Sequence, residues 1–316
     1  MNYNRRNSER TAPFARSRDW LLTLWMPQLE KNTTRVEALL TLLLGLWICK
    51  SASKDDTVPM QNLVKQLECK LNSEEFRQAF DPFRYDFKLL LLTYQILSQY
   101  NCCADWLESF LKQVAVEFSK LSEIPFNLIG EALLLSQLGF VEPPSVPPLT
   151  RQHICGDRVS PLRLDRSQLV LSCDSIANAS HFGLRRLRTS AWVRLMLRET
   201  LPPLLLQSLR HYDLELGATI LRTMRYAGLA NDRVFQLGLL FLLDQQNEQG
   251  YFGRLSKEAV AITECGAVSP EDVTARLYLP ITVCCLWALA ECMRPNCIVF
   301  SLYTQGHTAQ VTGATC

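Results

Sequence analysis

The sequence predicts an all-α protein built from helical hairpins, and three observations support this fold class. Apolar residues recur at helical spacing through most of the 316 residues. A Tyr-Asp pair stands at the start of two similar helical segments, at Tyr85-Asp86 and at Tyr212-Asp213. Apart from a short and ambiguous run at 297–303, no segment shows the pattern of a strand. We therefore expect antiparallel helical pairs that stack on one another.

The N-terminal segment is polar and carries five arginines, and we expect it to form a loose basic arm over residues 1–18. Helical periodicity begins near Asp19. A second helix is predicted after the capping signal at Thr33 and runs to about Lys50. After a polar break, a third helix is predicted over 60–71.

The two similar segments predict a duplicated three-helix unit. In each copy the Tyr-Asp helix is followed by an amphipathic helix, and then by a helix that opens on an apolar residue and a proline. The predicted helices cover 85–100, 104–118 and 125–138 in the first copy, and 204–226, 232–246 and 280–293 in the second. A segment at 254–276 has no counterpart in the first copy.

Proline-rich stretches suggest where the helical halves are divided. Prolines at 143, 144, 147 and 148 exclude a regular helix and stiffen the chain. The resulting division is an N-terminal half at 19–142, a linker at 143–165, a C-terminal half at 166–300 and a loose tail at 301–316. The Pro202-Pro203 pair is expected to interrupt a helix.

Charge and hydropathy exclude some classes of partner. The net charge of +2 gives no electrostatic case for nucleic acid as the main partner. No secretory signal is visible, and the most apolar stretch, at 38–49, is too short to span a membrane as a helix. We expect a cytoplasmic protein without a membrane span.

The chain has twelve cysteines but no C-x-x-C pair. Most lie inside apolar helical segments, which favours free thiols in a reducing cytosol over disulfides or metal ligands. His153-Ile154-Cys155 is the nearest approach to a metal pair, and a surface loop is the favoured interpretation there. We therefore expect neither a metal nor a cofactor.

The strongest local pattern lies at 241–253 and reads FLLDQQNEQGYFG. A glutamine near the helix end can bond to the backbone of the turn, and Gly250 and Gly253 permit positive φ. Tyr251 and Phe252 can pack back across the helix ends, or they can bind a ligand.

This pattern resembles the repeat that closes helical hairpins in the α/α-toroid proteins, namely terpene cyclases, protein prenyltransferase β subunits and their relatives. The resemblance covers about 204–295 well and 84–140 weakly, and it implies a toroid or partial toroid. It is structural, because in that superfamily the motif rigidifies the barrel. The layout also resembles an uncharacterised bacterial helical family, and membership would imply no activity.

The catalytic motifs of those relatives are missing from the chain. No Asp-x-Asp-Asp run is present, and Lys54-Asp55-Asp56-Thr57 does not continue as a magnesium-binding Asp-Asp-x-x-Asp motif. Phosphate loops, nucleophile elbows and HExxH motifs are also absent from the sequence. Serine hydrolase and nucleotide-hydrolysing functions therefore have no support in the sequence.

Three carboxylates are the candidates for catalysis: Asp86, Asp213 and Glu215. An aspartate at a helix start is most simply a structural cap, and duplication of the Tyr-Asp pair favours this interpretation. The alternative places the aspartates at the mouth of a toroid cavity for acid–base work. Glu215 has Lys88 as its counterpart in the first copy, which is consistent with a site in one half or with a solvated face.

Arginines and aromatic residues are the candidates for binding. Arg194 and Arg198 are four residues apart and share a helix face, beyond the cluster at 185–188. Together with that cluster they could hold a phosphate or a leader peptide, although such runs are usually solvated. The full set of predicted binding residues is Tyr85, Tyr212, Tyr251, Phe252, Arg194 and Arg198.

The missing catalytic motifs favour a non-catalytic binding or accessory protein, and the resemblance suggests a bacterial biosynthetic pathway. Its ligand would be a peptide, an apolar small molecule or a partner helix. The alternative is a terpenoid-cyclase-like or peptide-modifying enzyme with a non-standard acid in the toroid cavity.

Overall fold

The computed structural model describes residues 3–29, 36–53, 58–79, 87–102, 104–157, 160–253 and 270–293. Every regular element within these ranges is a helix, so the all-α prediction is confirmed. The α-helices are α1 (Tyr3–Leu29), α2 (Val36–Ser53), α3 (Met60–Leu71), α4 (Glu74–Ala79), α5 (Phe87–Gln99), α6 (Asp105–Ser119), α7 (Ile129–Gln137), α8 (Arg151–Cys155), α9 (Arg166–Ala179), α10 (Ala191–Arg210), α11 (Leu214–Tyr226), α12 (Arg233–Asp244) and α13 (Pro270–Met293). Short 3₁₀ turns occur at Phe126–Leu128 and Pro161–Arg163.

Packing divides the chain into two compact units. The first contains the described parts of 1–108 and 241–293, and the second contains those of 109–240. This grouping differs from the predicted halves at 19–142 and 166–300, which stay a prediction, and the proline-rich segment lies inside the second unit. Prolines disrupt helical hydrogen bonding locally, but they do not determine which helices share a core.

The core of the first unit is built around α2, which packs against α1, α13, α5 and α3. Its side chains are buried on nearly every side of the helix, as expected for a helix that is apolar all round. Gly45 allows α1 and α13 to pack closely on α2, because a Cβ at this position would lie 2.9 Å from Val283 Cγ2 and 3.0 Å from Leu21 Cδ1. No helix among the described residues is long and apolar enough to cross a membrane.

The N-terminal segment differs from the loose arm predicted over 1–18. Helix α1 already begins at Tyr3, and both Phe14 and Ser17 are buried. Phe14, Ser17 and Leu21 recur at helical spacing, so they form one inward face. The polar composition concealed this face because one of its members is a serine that is satisfied by a hydrogen bond to the carbonyl of Gly250.

The second unit is built around α9, α10 and α11, with α7 and α8 packed on α9. Helix α10 continues through the Pro202-Pro203 pair, so the predicted interruption is wrong. Proline removes backbone hydrogen bonds but does not force a helix to end when packing holds it. Leu201, Leu204 and Leu205 are buried around the pair and supply that packing.

The proposed repeat has a matching helix order in both copies, α5–α6–α7 and α11–α12–α13. Helices α5 and α11 are both 13 residues long. The third helices differ, with 9 residues in α7 and 24 in α13, which begins at Pro270 and passes through Pro280. The duplication and the toroid therefore stay predictions. The tail at 301–316 and the run at 297–303 lie outside the described residues.

Candidate functional site

The Gln-Gly-aromatic turn after α12 packs against α1. The Gln246 side-chain amide donates to the Pro13 carbonyl at 2.7 Å, to Ser17 Oγ at 2.9 Å and to the Gly250 carbonyl at 3.1 Å. Gly250 has a φ of +103°, and a Cβ there would lie 2.1 Å from the Arg16 carbonyl oxygen. The turn is thus part of the core of the first unit.

Tyr251 and Phe252 are buried in this turn, and a role for them in ligand binding stays a prediction. The Tyr251 ring lies 5.4 Å from that of Trp20 and 4.7 Å from that of Tyr278, measured between centroids. The Phe252 side chain is fully buried, and its backbone N–H donates to Thr282 Oγ1 at 3.1 Å. The sequence pattern indicated a tight turn, but it did not show that the aromatic rings face the core.

Asp213 caps α11 and pairs with Arg166. Its Oδ1 accepts from the Leu216 backbone N–H at 3.0 Å, and its Oδ2 accepts from Arg166 Nε at 2.7 Å. Arg166 Nη2 also donates to Glu215 Oε2 at 2.7 Å and to Asp213 Oδ1 at 3.3 Å. One guanidinium therefore holds two of the three carboxylates that were candidates for catalysis.

The electrostatics of this cluster keep Asp213 ionised. Burial alone would raise its pKa, but the hydrogen bonds from Arg166 and from the Leu216 N–H, together with the Arg166 charge, hold the pKa below its ordinary value. Hydrogen bonds to Asp213 raise the pKa of Arg166 in turn. A general acid needs a raised pKa, so this geometry favours the structural interpretation of Asp213.

The two predicted tyrosines have different outcomes. Tyr212 is half-buried and has a φ of +62°, which makes the turn from α10 into the cap of α11. Tyr212 is therefore part of the backbone turn that connects the two helices. Tyr85 and Asp86 lie outside the described residues.

Arg194 and Arg198 lie on the first turns of α10 and line a cavity of about 540 Å³ in the second unit. The other wall is the turn that follows α11, from Ala227 to Asp232. Gly228 has a φ of +79° in this turn and ends the helix, as the sequence predicted. The i, i+4 spacing on one helix face therefore brings the predicted pair of arginines to one cavity.

A second cavity of about 500 Å³ shares Arg194 with the first. It is lined by the loop between α9 and α10, which contributes Arg185 and Arg186, and by Arg225 and Tyr226 at the end of α11. We call the two cavities with these arginines the arginine groove, whose basic residues are Arg185, Arg186, Arg194, Arg198 and Arg225.

The loop that carries Arg185 and Arg186 is held by a sharp turn. His181, Phe182 and Gly183 have φ values of +50°, +54° and +83°. A Cβ on Gly183 would lie 2.7 Å from the Tyr226 ring, so the backbone packs directly on that ring. Consecutive left-handed residues are costly for side chains other than glycine, and such conformations cluster at functional sites.

The far end of the loop is fixed to the segment before α8. The Leu149 backbone N–H donates to the Arg188 carbonyl at 2.8 Å, and the Thr189 hydroxyl donates to the Leu149 carbonyl at 2.8 Å. Ser190 then caps α10 by accepting from the Val193 N–H. The groove arginines are thus carried by backbone that is anchored at both ends.

The groove has a strong excess of positive charge. Within the described part of the chain, Arg185, Arg186, Arg194 and Arg198 are exposed and form no ion pair. Asp232 is the acidic residue that lines the first cavity, and one of its oxygens accepts from the Val234 N–H at 2.7 Å. An anion in the groove would therefore meet charges that are not already neutralised.

The thiols and histidines in the described ranges do not form a metal site that would compete with the groove. Among the described residues, no group of three His, Cys, Asp or Glu side chains is placed to hold a metal. Burial raises the pKa of Cys173 to about 11 despite the nearby Thr223 and Arg222. His153 stacks on Phe126 at 3.7 Å and closes a capping box with Thr150, so its role is structural.

The sequence did not identify Arg166, Arg225 and Tyr226 as members of polar sites. Arg166 lies far from Asp213 along the chain, and its partner follows only from the packing of α9 on α11. Arg225 was part of a predicted helix with no sign of what its end would face. Comparison of the chain with protein-family models, with curated proteins and with solved structures finds no match in any of the three.

Proposed function

We propose that this chain is a non-catalytic helical binding protein whose arginine groove holds an anionic ligand. The observation that carries the proposal is the convergence of four exposed arginines without ion-pair partners among the described residues on two cavities that share Arg194. The anchored loop and the sharp turn at 181–183 support it, because they position Arg185 and Arg186 before a ligand arrives.

The number of arginines matters for affinity. An exposed arginine–carboxylate pair contributes only about 0.2–1 kcal/mol, so one surface arginine does not make a binding site. Four acting on one ligand would contribute roughly 1–4 kcal/mol, which corresponds to about fivefold to a thousandfold in affinity. A ligand with several negative groups is therefore the one that the groove would select.

An enzymatic function with a non-standard acid has less support. Asp213 and Glu215 are both held by Arg166, and Asp213 has a lowered pKa. The α/α-toroid relationship and the biosynthetic setting rest on the resemblance alone and stay predictions. A cytoplasmic location belongs to the same proposal, and free thiols at the described cysteines, such as Cys49 and Cys285, support it.

The proposal is tested with inorganic tripolyphosphate as a simple polyanion. Calorimetric titration of the wild-type chain should show binding that weakens at higher salt, because the contacts are between exposed charges. The double variant Arg194→Gln with Arg198→Gln should bind about tenfold more weakly, since two charge-assisted contacts are lost.

Arg210→Gln is the matched control, because Arg210 is an exposed arginine at the end of the same helix and lines neither cavity. It should bind tripolyphosphate like the wild type. Equal binding by the double variant and the wild type would overturn the proposal, provided that circular dichroism shows the same helix content.

A further inference from the structure

Each cavity of the arginine groove contains an exposed leucine beside its arginines. Leu195 lines the first cavity and is 56% exposed, and Leu184 lines the second and is 48% exposed. An inorganic anion or a phosphate group gains nothing from apolar surface, whereas an apolar side chain would bury it at about 25 cal/mol per Å². The lining thus fits a ligand that has both acidic and apolar groups.

The charges in the first cavity also have both signs. Asp232 lines the cavity together with Arg194 and Arg198. A compact polyphosphate would place its charges close to this carboxylate, and like charges repel. A longer ligand can place its acidic groups at the arginines and a neutral or basic group at Asp232. This arrangement favours a chain of separate groups over a compact polyanion, which the arginines would bind more weakly.

The shape of the groove agrees with an extended ligand. Each cavity has a volume near 500 Å³, within the range of sites that hold molecules of a few hundred daltons. The two cavities share Arg194, Ala227 and Gly228, so one ligand can cross from the first to the second. Gly228, which lines both cavities, has no side chain that would obstruct a ligand at this point.

We infer that the occupant of the arginine groove is a segment of an acidic peptide in which apolar side chains alternate with carboxylates. Its carboxylates contact the groove arginines, and its apolar side chains cover Leu184 and Leu195. This inference rests on the proposed function, because it needs the groove to bind anions. It adds the chemical class of the ligand and the apolar contacts that the ligand makes with Leu184 and Leu195.

The test compares two short labelled peptides by fluorescence anisotropy. One alternates glutamate with leucine and glycine, and the other has serine in place of every leucine at the same charge. The leucine peptide should bind about tenfold more tightly than the serine peptide. This difference corresponds to the partial burial of one or two leucine side chains. The double variant Leu184→Ser with Leu195→Ser should bind both peptides equally, at the level of the serine peptide.

Leu206→Ser is the matched control for this variant. Leu206 is 48% exposed on α10 and lies outside both cavities, so its loss should leave the preference for the leucine peptide unchanged. Because the substituted leucines are exposed, all variants should unfold at similar temperatures.

The outcomes separate the two proposals. If both peptides bind the wild type equally while tripolyphosphate still requires Arg194 and Arg198, the peptide inference is overturned and the anion-binding function stands. If neither peptide nor tripolyphosphate binding depends on these arginines, both proposals fall. If Leu206→Ser abolishes the preference as fully as the groove variant, the apolar contact lies elsewhere and the inference is overturned.

Discussion

Asp213 makes two kinds of contact at the start of α11, and they can be separated by substitution. One is the cap, in which Oδ1 accepts the Leu216 N–H, and the other is the ion pair with Arg166. The ion pair is half-exposed, so solvent and salt reduce its contribution. The cap is expected to contribute more, because it satisfies a backbone donor that the helix leaves without a partner.

Substitutions of Asp213 should show, in the free energy of unfolding, that the cap contributes more than the ion pair. Asp213→Ala removes the cap and the ion pair, and it should cost about 1–2 kcal/mol. Asp213→Asn keeps a capping oxygen and loses only the ion pair, at a cost of less than about 1 kcal/mol. Urea denaturation measures both. Equal costs for the two variants would show that the cap contributes nothing beyond the ion pair.

The pH dependence follows from the lowered pKa of Asp213. A carboxyl with a lower pKa in the folded state stabilises the fold above its unfolded pKa of about 4, and this contribution is lost as pH falls through the folded pKa. The difference between wild type and Asp213→Asn should therefore be constant near neutral pH and disappear in acid. A difference that grows in acid would contradict the assigned ion pair.

At the scale of elements, the turn after α12 depends on the fit of Gly250 against α1. The position needs both a positive φ and the absence of a Cβ, because the Arg16 carbonyl lies in the way. Gly139 after α7 has a φ of +78° but no atom within 4 Å of a Cβ placed there. Substitutions at these two glycines therefore separate the energetic cost of backbone strain from that of a steric clash.

Alanine at each of these glycines gives a paired prediction. Gly139→Ala should cost about 1 kcal/mol, the strain of a left-handed residue that is not glycine. Gly250→Ala should cost several times as much, because either the turn or α1 must move. Thermal unfolding of both variants measures the difference. Similar costs would mean that the turn is not packed on α1 as described.

The elements also show how far sequence patterns reach. Helix α2 and the end of α11 were predicted because apolar spacing and the Gly228 end are local signals, but the helix predicted over 204–226 is divided by a turn at 211–213. Helix α1 was missed over residues 3–18, because its buried face includes Ser17, whose partner is distant in sequence. Helix α10 was not predicted as a single helix, because packing outweighs the local effect of its two prolines.

The sequence predicted the arginines of α10 and of the loop before it as one basic cluster, but not the cavities that they line. Arg194 and Arg198 share a face of α10, and their spacing alone indicated this. Arg225 reaches the same groove through tertiary packing, and Arg185 through the turn at 181–183. Of the three residues with positive φ in that turn, His181 and Phe182 give no sign of it in the sequence.

At the scale of the whole molecule, the first unit joins residues from opposite ends of the chain. Helices α1 and α2 pack with α13, so this core forms through contacts of long sequence separation. The second unit contains the arginine groove within the described part of 109–240. The Gln-Gly-aromatic turn, although the strongest sequence pattern, belongs to the first unit and does not line the groove.

The most direct test of the groove is hydrogen–deuterium exchange of the chain with and without the leucine-containing acidic peptide. The account predicts slower exchange at 183–198 and 225–232, and unchanged exchange at the turn over 246–253. Protection of that turn without protection of the groove segments would contradict the central claim, and it would return the binding site to Tyr251 and Phe252.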